Sequence, residues 1–163
     1  LPKDVVLKSV PVSSPVVVPP EAPPAAPATL VGLSVLCIDN EPEILSGMSA
    51  LMTRWGVRVL TAVNASQARA AFERDHPDVI LADYRLGNGA MDGLELLQSM
   101  RRGGVEPVSG ALVTADHSAA VAERARSLGY PVLRKPVKPA ALRALLGALA
   151  AQRESGGGAV TPP

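Results

Sequence analysis

The stretch Val79-Ile80-Leu81-Ala82-Asp83-Tyr84-Arg85-Leu86 governs how the rest of the chain is read, because an apolar run too short for a typical helix stops abruptly at a carboxylate. Such a run reads as a strand of a parallel sheet, buried on both faces. Asp83 then stands at the strand's carboxyl end, where open α/β sheets bind their ligands. Upstream, Ser34-Val35-Leu36-Cys37-Ile38 runs in the same way into Asp39, Asn40 and Glu41, then Pro42. Two strands thus bring acidic groups to one edge. Two further strand-like runs end differently: Ala111-Leu112-Val113 stops at Thr114, and Val132-Leu133-Arg134 stops at Lys135, followed by Pro136. One hydroxyl and one ammonium join the carboxylates.

Between these runs the apolar period changes from two to about 3.6. Pro42 suits a first helical position, and Ile44, Leu45, Met48, Leu51, Met52 and Trp55 follow at helical spacing up to Gly56. Val57 to Val63 reads as a strand, and Asn64 or Ser66 as the cap of a helix through Ala68, Ala71 and Phe72. Asp92-Gly93 opens a third helix, and Ser118 to Leu128 forms a fourth, ended by Gly129. A further strand runs from about Val108 to Thr114, and a last helix from Pro139 carries the stripe Leu142, Leu145, Leu146 and Leu149. Strands alternating with helices predict an α/β fold, a doubly wound five-stranded parallel sheet with five helices, because crossovers between parallel strands are right-handed.

Residues 1–32 hold half of the chain's 16 prolines and read as a semi-rigid Pro/Ala-rich linker that contributes little to folding. Val16-Val17-Val18 interrupts it as a weak strand pattern. Residues 33–152 form the domain, and 153–163, with glycines at 156 to 158, a flexible tail. The chain opens on Leu1 rather than Met, as a fragment would.

A net charge of +1 argues against a nucleic-acid surface, and 2% aromatic residues leave no platform for stacking single-stranded bases. No apolar stretch reaches membrane-spanning length, so this segment is expected to make no membrane contact and to be cytoplasmic. Cys37 reads as a small buried hydrophobe. His76 and His117 lack partners at ligand spacing and read as surface residues.

Taken singly, Asp83 or Thr114 is explained by turn chemistry. Together, Asp39, Asp83, Thr114 and Lys135 at strand ends resemble the receiver domain of two-component response regulators, in residue types, order and approximate spacing. The resemblance covers about Leu33 to Ala151. It implies the flavodoxin-like (CheY-like) sheet order 2-1-3-4-5, and transfer of a phosphoryl group from a partner phosphohistidine to Asp83 in a His-Asp phosphorelay. Partners would be a histidine kinase or a histidine phosphotransfer domain, and homodimerisation is left open. The helix 4/strand 5/helix 5 surface would carry the change. A spacer preceding a receiver resembles the carboxyl end of a hybrid sensor histidine kinase; a single-domain adaptor is the alternative.

The chemistry of the residues agrees with that role. A carboxylate is a competent phosphoryl acceptor when charge on the incoming group is neutralised. The resemblance assigns Mg²⁺ (or Mn²⁺) to Asp39, Asn40, Asp83 and the Arg85 backbone carbonyl, with Glu41 as a further ligand. Lys135 would pair with one phosphoryl oxygen and Thr114 donate to another, while small Ala115 leaves access. The Lys135–Pro136 bond is cis by the same resemblance. By the same resemblance Arg85 and Asp116, two residues past Asp83 and Thr114, would flank the path of attacking water, and their opposite charges suit a pair.

Three positions depart from the pattern. Asn40 replaces the second acidic residue; Gly87-Asn88-Gly89 lengthens the loop after Asp83; and Val132 takes the place of the aromatic switch residue. Asn40 keeps alive an alternative, a phosphorylation-independent pseudo-receiver acting as an interaction module. An aspartate-nucleophile phosphohydrolase fits less well, since Arg85 stands where its second Asp is required. A dinucleotide-binding domain lacks its glycine fingerprint.

Overall fold

The computed structural model describes residues 29–87, 91–102, 104 and 106–159. Five parallel strands, β1 (Ser34–Ile38), β2 (Arg58–Ala62), β3 (Val79–Asp83), β4 (Ser109–Thr114) and β5 (Val132–Arg134), form one sheet in the order β2-β1-β3-β4-β5. Five helices connect or follow them: α1 (Pro42–Thr53), α2 (Ala65–Asp75), α3 (Gly93–Ser99), α4 (Ala119–Ser127) and α5 (Pro139–Ala159). The expected sheet order and helix count are both found. Val16-Val17-Val18, Asn88 and Gly89 lie outside the described residues.

β1 and β3 are buried along their whole length because helices cover both faces of the sheet. Successive side chains therefore enter two cores. Val35, Cys37, Val79 and Leu81 pack with α1 and α5 through Met48, Met52, Leu142 and Leu146. Leu36, Ile38, Ile80 and Ala82 pack with α2, α3 and α4 through Ala71, Leu94, Leu97 and Ala125. Burial of aliphatic groups on this scale, at roughly 25 cal/mol per Å² of apolar surface, is the main force holding the layers.

Local chemistry sets the helix starts. Pro42 is the first residue of α1, and Asn64 caps α2 by accepting from the Gln67 N–H at 2.8 Å. Asp92 and Glu95 form a reciprocal capping box at α3, each side chain 2.9 Å from the other's backbone nitrogen. His76 ends α2 in the left-handed region at φ 48 and, like His117, is exposed.

Some boundaries differ from the sequence reading. Leu30 is 2% exposed and packs with Leu33 and Met52, while the Gly32 N–H donates to the Gly56 carbonyl at 2.9 Å, so the packed unit starts inside the expected linker. A single apolar residue before a strand has no periodicity to reveal it. At the other end α5 continues to Ala159, beyond Gln152, since an established helix gains one hydrogen bond for each residue added. A short antiparallel ribbon, Arg101–Arg102 with Glu106–Pro107, lies between α3 and β4, where the sequence carried no strand pattern.

Truncation separates the two parts of the expected linker. Deleting residues 1–28 is expected to leave the melting temperature nearly unchanged, whereas deletion through residue 32, or Leu30→Ala, removes core contacts. Leu30→Ala should cost about 2–5 kcal/mol in chemical denaturation. Equal stability of the two truncations would show that Leu30 is not part of the core.

Candidate functional site

Because β1 and β3 are parallel and Ile38 is in register with Ala82, the next residues, Asp39 and Asp83, emerge side by side. Neither is exposed: their side chains are 4% and 8% accessible. Lys135, the residue after β5, reaches across the sheet edge to both. Its Nζ lies 2.7 Å from Asp39 Oδ2, 3.3 Å from Asp83 Oδ2 and 3.9 Å from Glu41 Oε1. The other Asp39 oxygen, Oδ1, accepts from the Glu41 N–H at 2.9 Å. The Lys135–Pro136 peptide bond is cis.

Burial raises the Asp83 pKa above the ordinary carboxylate value, and the Asp39 charge raises it further; Lys135 and a hydrogen bond from the Arg85 backbone pull the other way. For Lys135, burial favours loss of the proton, but the hydrogen bond to Asp39 and the charges of Asp83 and Asp39 prevail and raise its pKa. The Cys37 thiol is pushed up to about 12 by burial and then by Asp39. It is an inert core residue.

Thr114, the last residue of β4, is buried, and its Oγ1 accepts from the Asp116 N–H at 2.9 Å. Accepting that bond leaves its hydroxyl hydrogen to donate elsewhere. The Asp116 carboxyl is held below the usual range by the Ser118 backbone N–H first, with help from the Ser118 side chain and Arg85. Arg85 Nη2 lies 3.0 Å from Asp116 Oδ2, so the anticipated pair is formed. It joins the ends of β3 and β4 through an Arg side chain that is itself 74% exposed.

These groups line an open cleft of about 630 Å³, bounded by Asn40, Glu41, Asp83, Arg85, Thr114 and Lys135, with exposed Ala115 at the rim. Asn40 is exposed, and a Cβ placed on Gly87 would lie 3.5 Å from its Nδ2, so Asn40 stands beside the loop leaving β3. The expected residues are brought together at this edge. Glu41 takes part through its backbone N–H and a long approach to Lys135.

Two features were not read from the sequence as physical constraints. Gly93 donates its N–H to the Tyr84 carbonyl at 2.8 Å, and a Cβ there would overlap the Asp83 carbonyl oxygen. Only glycine lets α3 approach that closely. Arg124 of α4 forms an ion pair with Asp92 at 2.8 Å, a link between segments distant in sequence that no local pattern announces.

The model of the response regulator receiver domain matches residues 35–147. The chain belongs to the response regulator receiver family. Over 113 residues it is 34% identical to the response regulator protein PilR of Pseudomonas aeruginosa, covering 68% of this chain and 24% of that protein. Over 111 residues it is 28% identical to the methanol utilization control regulatory protein MoxX of Paracoccus denitrificans, covering 66% of this chain and 49% of that one. This receiver chain thus matches half or less of those proteins' lengths. The crystal structure of a receiver domain protein from Clostridium thermocellum is similar at a TM-score of 0.68 and 23% identity, over 76% of this chain and 98% of that one. A CheY-like receiver from Methanospirillum hungatei JF-1 gives 0.67 and 24%, with 76% and 98% covered. Both have the fold described above. Among the described residues, no helix is long and apolar enough to cross a membrane.

The raised Asp83 pKa gives a prediction for stability. Folding disfavours the ionised carboxylate, so its contribution is most favourable at low pH and is lost as pH rises through the raised pKa. Asp83→Asn is neutral throughout. In metal-free buffer it should melt higher than the wild type at neutral pH, with the difference shrinking under acid; a lower melting temperature at neutral pH would contradict the electrostatic account.

Proposed function

We propose that Asp83 is the phosphoacceptor of this receiver and that Lys135 and Thr114 assist the transfer. The observation that carries the reading is the placement of one ammonium within 3.3 Å of two buried carboxylates, beside a buried threonine hydroxyl and open to a cleft. An Asp83 oxygen forms a bond to phosphorus as the phosphorus–nitrogen bond of a phosphohistidine breaks, and the imidazole leaves with the electron pair. Lys135 neutralises charge on the phosphoryl oxygens, and the free hydrogen of Thr114 is donated to one of them.

Receiver domains generally bind Mg²⁺ at the phosphorylation site, and this donor set suits such an ion. Among the described residues no three His, Cys, Asp or Glu side chains gather as a metal cluster. Mg²⁺ does not require one: it takes one or two carboxylates and keeps several waters. Asp39, Asp83 and the Arg85 carbonyl would hold it, with Asn40 or Glu41 nearby, and when bound it supplies charge neutralisation at the phosphoryl oxygens. Mn²⁺ takes the same hard oxygen ligands.

Receiver domains of response regulators interact with histidine kinases or phosphotransfer proteins, and this chain offers a place for such a partner. Ile44, Met48 and Leu51 of α1 and Pro136 and Val137 after β5 line an apolar groove of about 320 Å³ that shares Lys135 with the acceptor cleft. A helix carrying a phosphohistidine would bring its imidazole to Asp83 from this side. We place that exchange in the cytoplasm. A second reading, an interaction module that is never phosphorylated, is favoured by Asn40 alone.

Acetyl phosphate with Mg²⁺, read by intact mass, tests the assignment. The wild type is expected to gain one phosphoryl group and Asp83→Asn none; labelling of Asp83→Asn at wild-type yield would show that the acceptor is another residue. The absence of any labelling in the wild type would support the interaction module.

Asn40 supplies a neutral oxygen where a second carboxylate would carry charge, so Mg²⁺ binding is expected to be weak for a receiver. Asn40→Asp should tighten it by roughly tenfold, equivalent to about 1.4 kcal/mol. Titration of Mg²⁺ followed by Trp55 fluorescence or amide shifts reads the change. If affinity responds only to Glu41→Gln, Glu41 is the compensating ligand.

A further inference from the structure

The segment that leaves β3 after Asp83 must come back to α3, and its returning end is fixed by contacts of an unusual kind. Gly93 lies against the Asp83 carbonyl with no room for a side chain, and its N–H is bonded to the Tyr84 carbonyl at 2.8 Å. Whatever moves the first turn of α3 therefore moves the backbone that carries the acceptor. That turn begins at Asp92, which uses both carboxylate oxygens. Oδ1 caps the helix by accepting from the Glu95 N–H at 2.9 Å, and Oδ2 accepts from Arg124 Nη1 at 2.8 Å.

Arg124 comes from α4, whose own start is tied to the site by a separate route. Ser118 caps α4, the Ser118 N–H donates to Asp116 Oδ1 at 2.9 Å, and the Asp116 N–H donates to Thr114 Oγ1 at 2.9 Å. The two ends of this arrangement meet at the acceptor cleft, since Asp92, Glu95, Thr114 and Asp116 all line it. The ion pair is partly shielded: its side chains are 38% and 24% exposed. The hydrogen bond to Asp92, then the Asp92 charge, with Glu95 nearby, raise the guanidinium pKa against the effect of burial.

We propose that Arg124 is a positioning residue for phosphoryl uptake: from α4 it holds Asp92, and through Gly93 it fixes the backbone that presents Asp83. The proposal rests on the phosphoacceptor reading of Asp83 and adds a residue to it. Small displacements of a reacting group cost large factors in rate, so the effect of losing this contact falls on transfer more than on folding. A partly exposed ion pair contributes little to overall stability.

The test follows uptake of phosphoryl from acetyl phosphate in saturating Mg²⁺ by intact mass, alongside thermal melting. Arg124→Gln should label Asp83 about tenfold more slowly with a melting temperature close to wild type. Arg124→Lys should recover part of the rate, because an ammonium still pairs with Asp92. Asp92→Asn keeps the capping oxygen while losing the charge, and asparagine caps helices as well as aspartate. It should be slowed like Arg124→Gln, and the double variant should be no slower than either single one, as expected for partners in one contact. Wild-type uptake in Arg124→Gln, additive slowing in the double variant, or slowing matched by a large fall in melting temperature would each overturn the positioning role. Failure of the wild type to label Asp83 under the same conditions would instead remove the phosphoacceptor reading on which the proposal stands.

Discussion

Two carboxylates placed side by side at buried strand ends repel each other, and the Lys135 ammonium lets Asp39 and Asp83 occupy that edge together. The attraction does not fully offset desolvation: Asp83 remains harder to ionise than a free aspartate, with burial as the leading cause. The fold therefore supplies the energy that holds this cluster, because Asp83 by itself is disfavoured in its ionised form. Its position also explains why Lys135 retains its proton although it is buried. An ammonium already fixed beside Asp83 needs little reorganisation to meet negative charge that develops there.

The parallel sheet makes this convergence possible. In an antiparallel pair, Asp39 and Asp83 would leave opposite edges; here β1, β3, β4 and β5 all end on the same side, so a carboxylate, a second carboxylate, a hydroxyl and an ammonium meet across adjacent strands. The two apolar cores resist any slip in register. A one-residue shift of β3 would exchange the sets facing α1/α5 and α2/α3/α4 and carry Asp83 away from Asp39.

Helix packing adds a second level of control. Gly93 brings α3 against the end of β3, and Gly110 in β4 leaves space for Leu97, with a Cβ there meeting the Leu97 side chain at 2.9 Å. Helix α3 therefore sits close to the sheet at both ends of the strands, through Gly93 beside Asp83 and through Gly110 beside Ile80. Val132 leaves β5 without an aromatic side chain at that position, while Thr114 remains joined to α4 through Asp116 and Ser118. The described links between the β3 end and α4 combine apolar packing of Ala82 with Ala125, the hydrogen bonds through Asp116 and Ser118, and the Arg124–Asp92 pair.

The sequence by itself determined the strands, because short aliphatic runs ending in polar residues have one physical reading in a buried parallel sheet. It also determined most helix starts, since Pro42, Asn64, Asp92 and Ser118 act through neighbours only a few residues away. Asp39, Asp83, Thr114 and Lys135 were legible as a set because each follows directly on such a run. Tertiary structure alone decided which oxygen Lys135 approaches, that Leu30 belongs to the core, that Gly93 touches the Asp83 carbonyl and that Arg124 pairs with Asp92. Each of these depends on groups far apart in the chain, whose meeting is fixed by packing of the whole domain and leaves no local period or spacing to read.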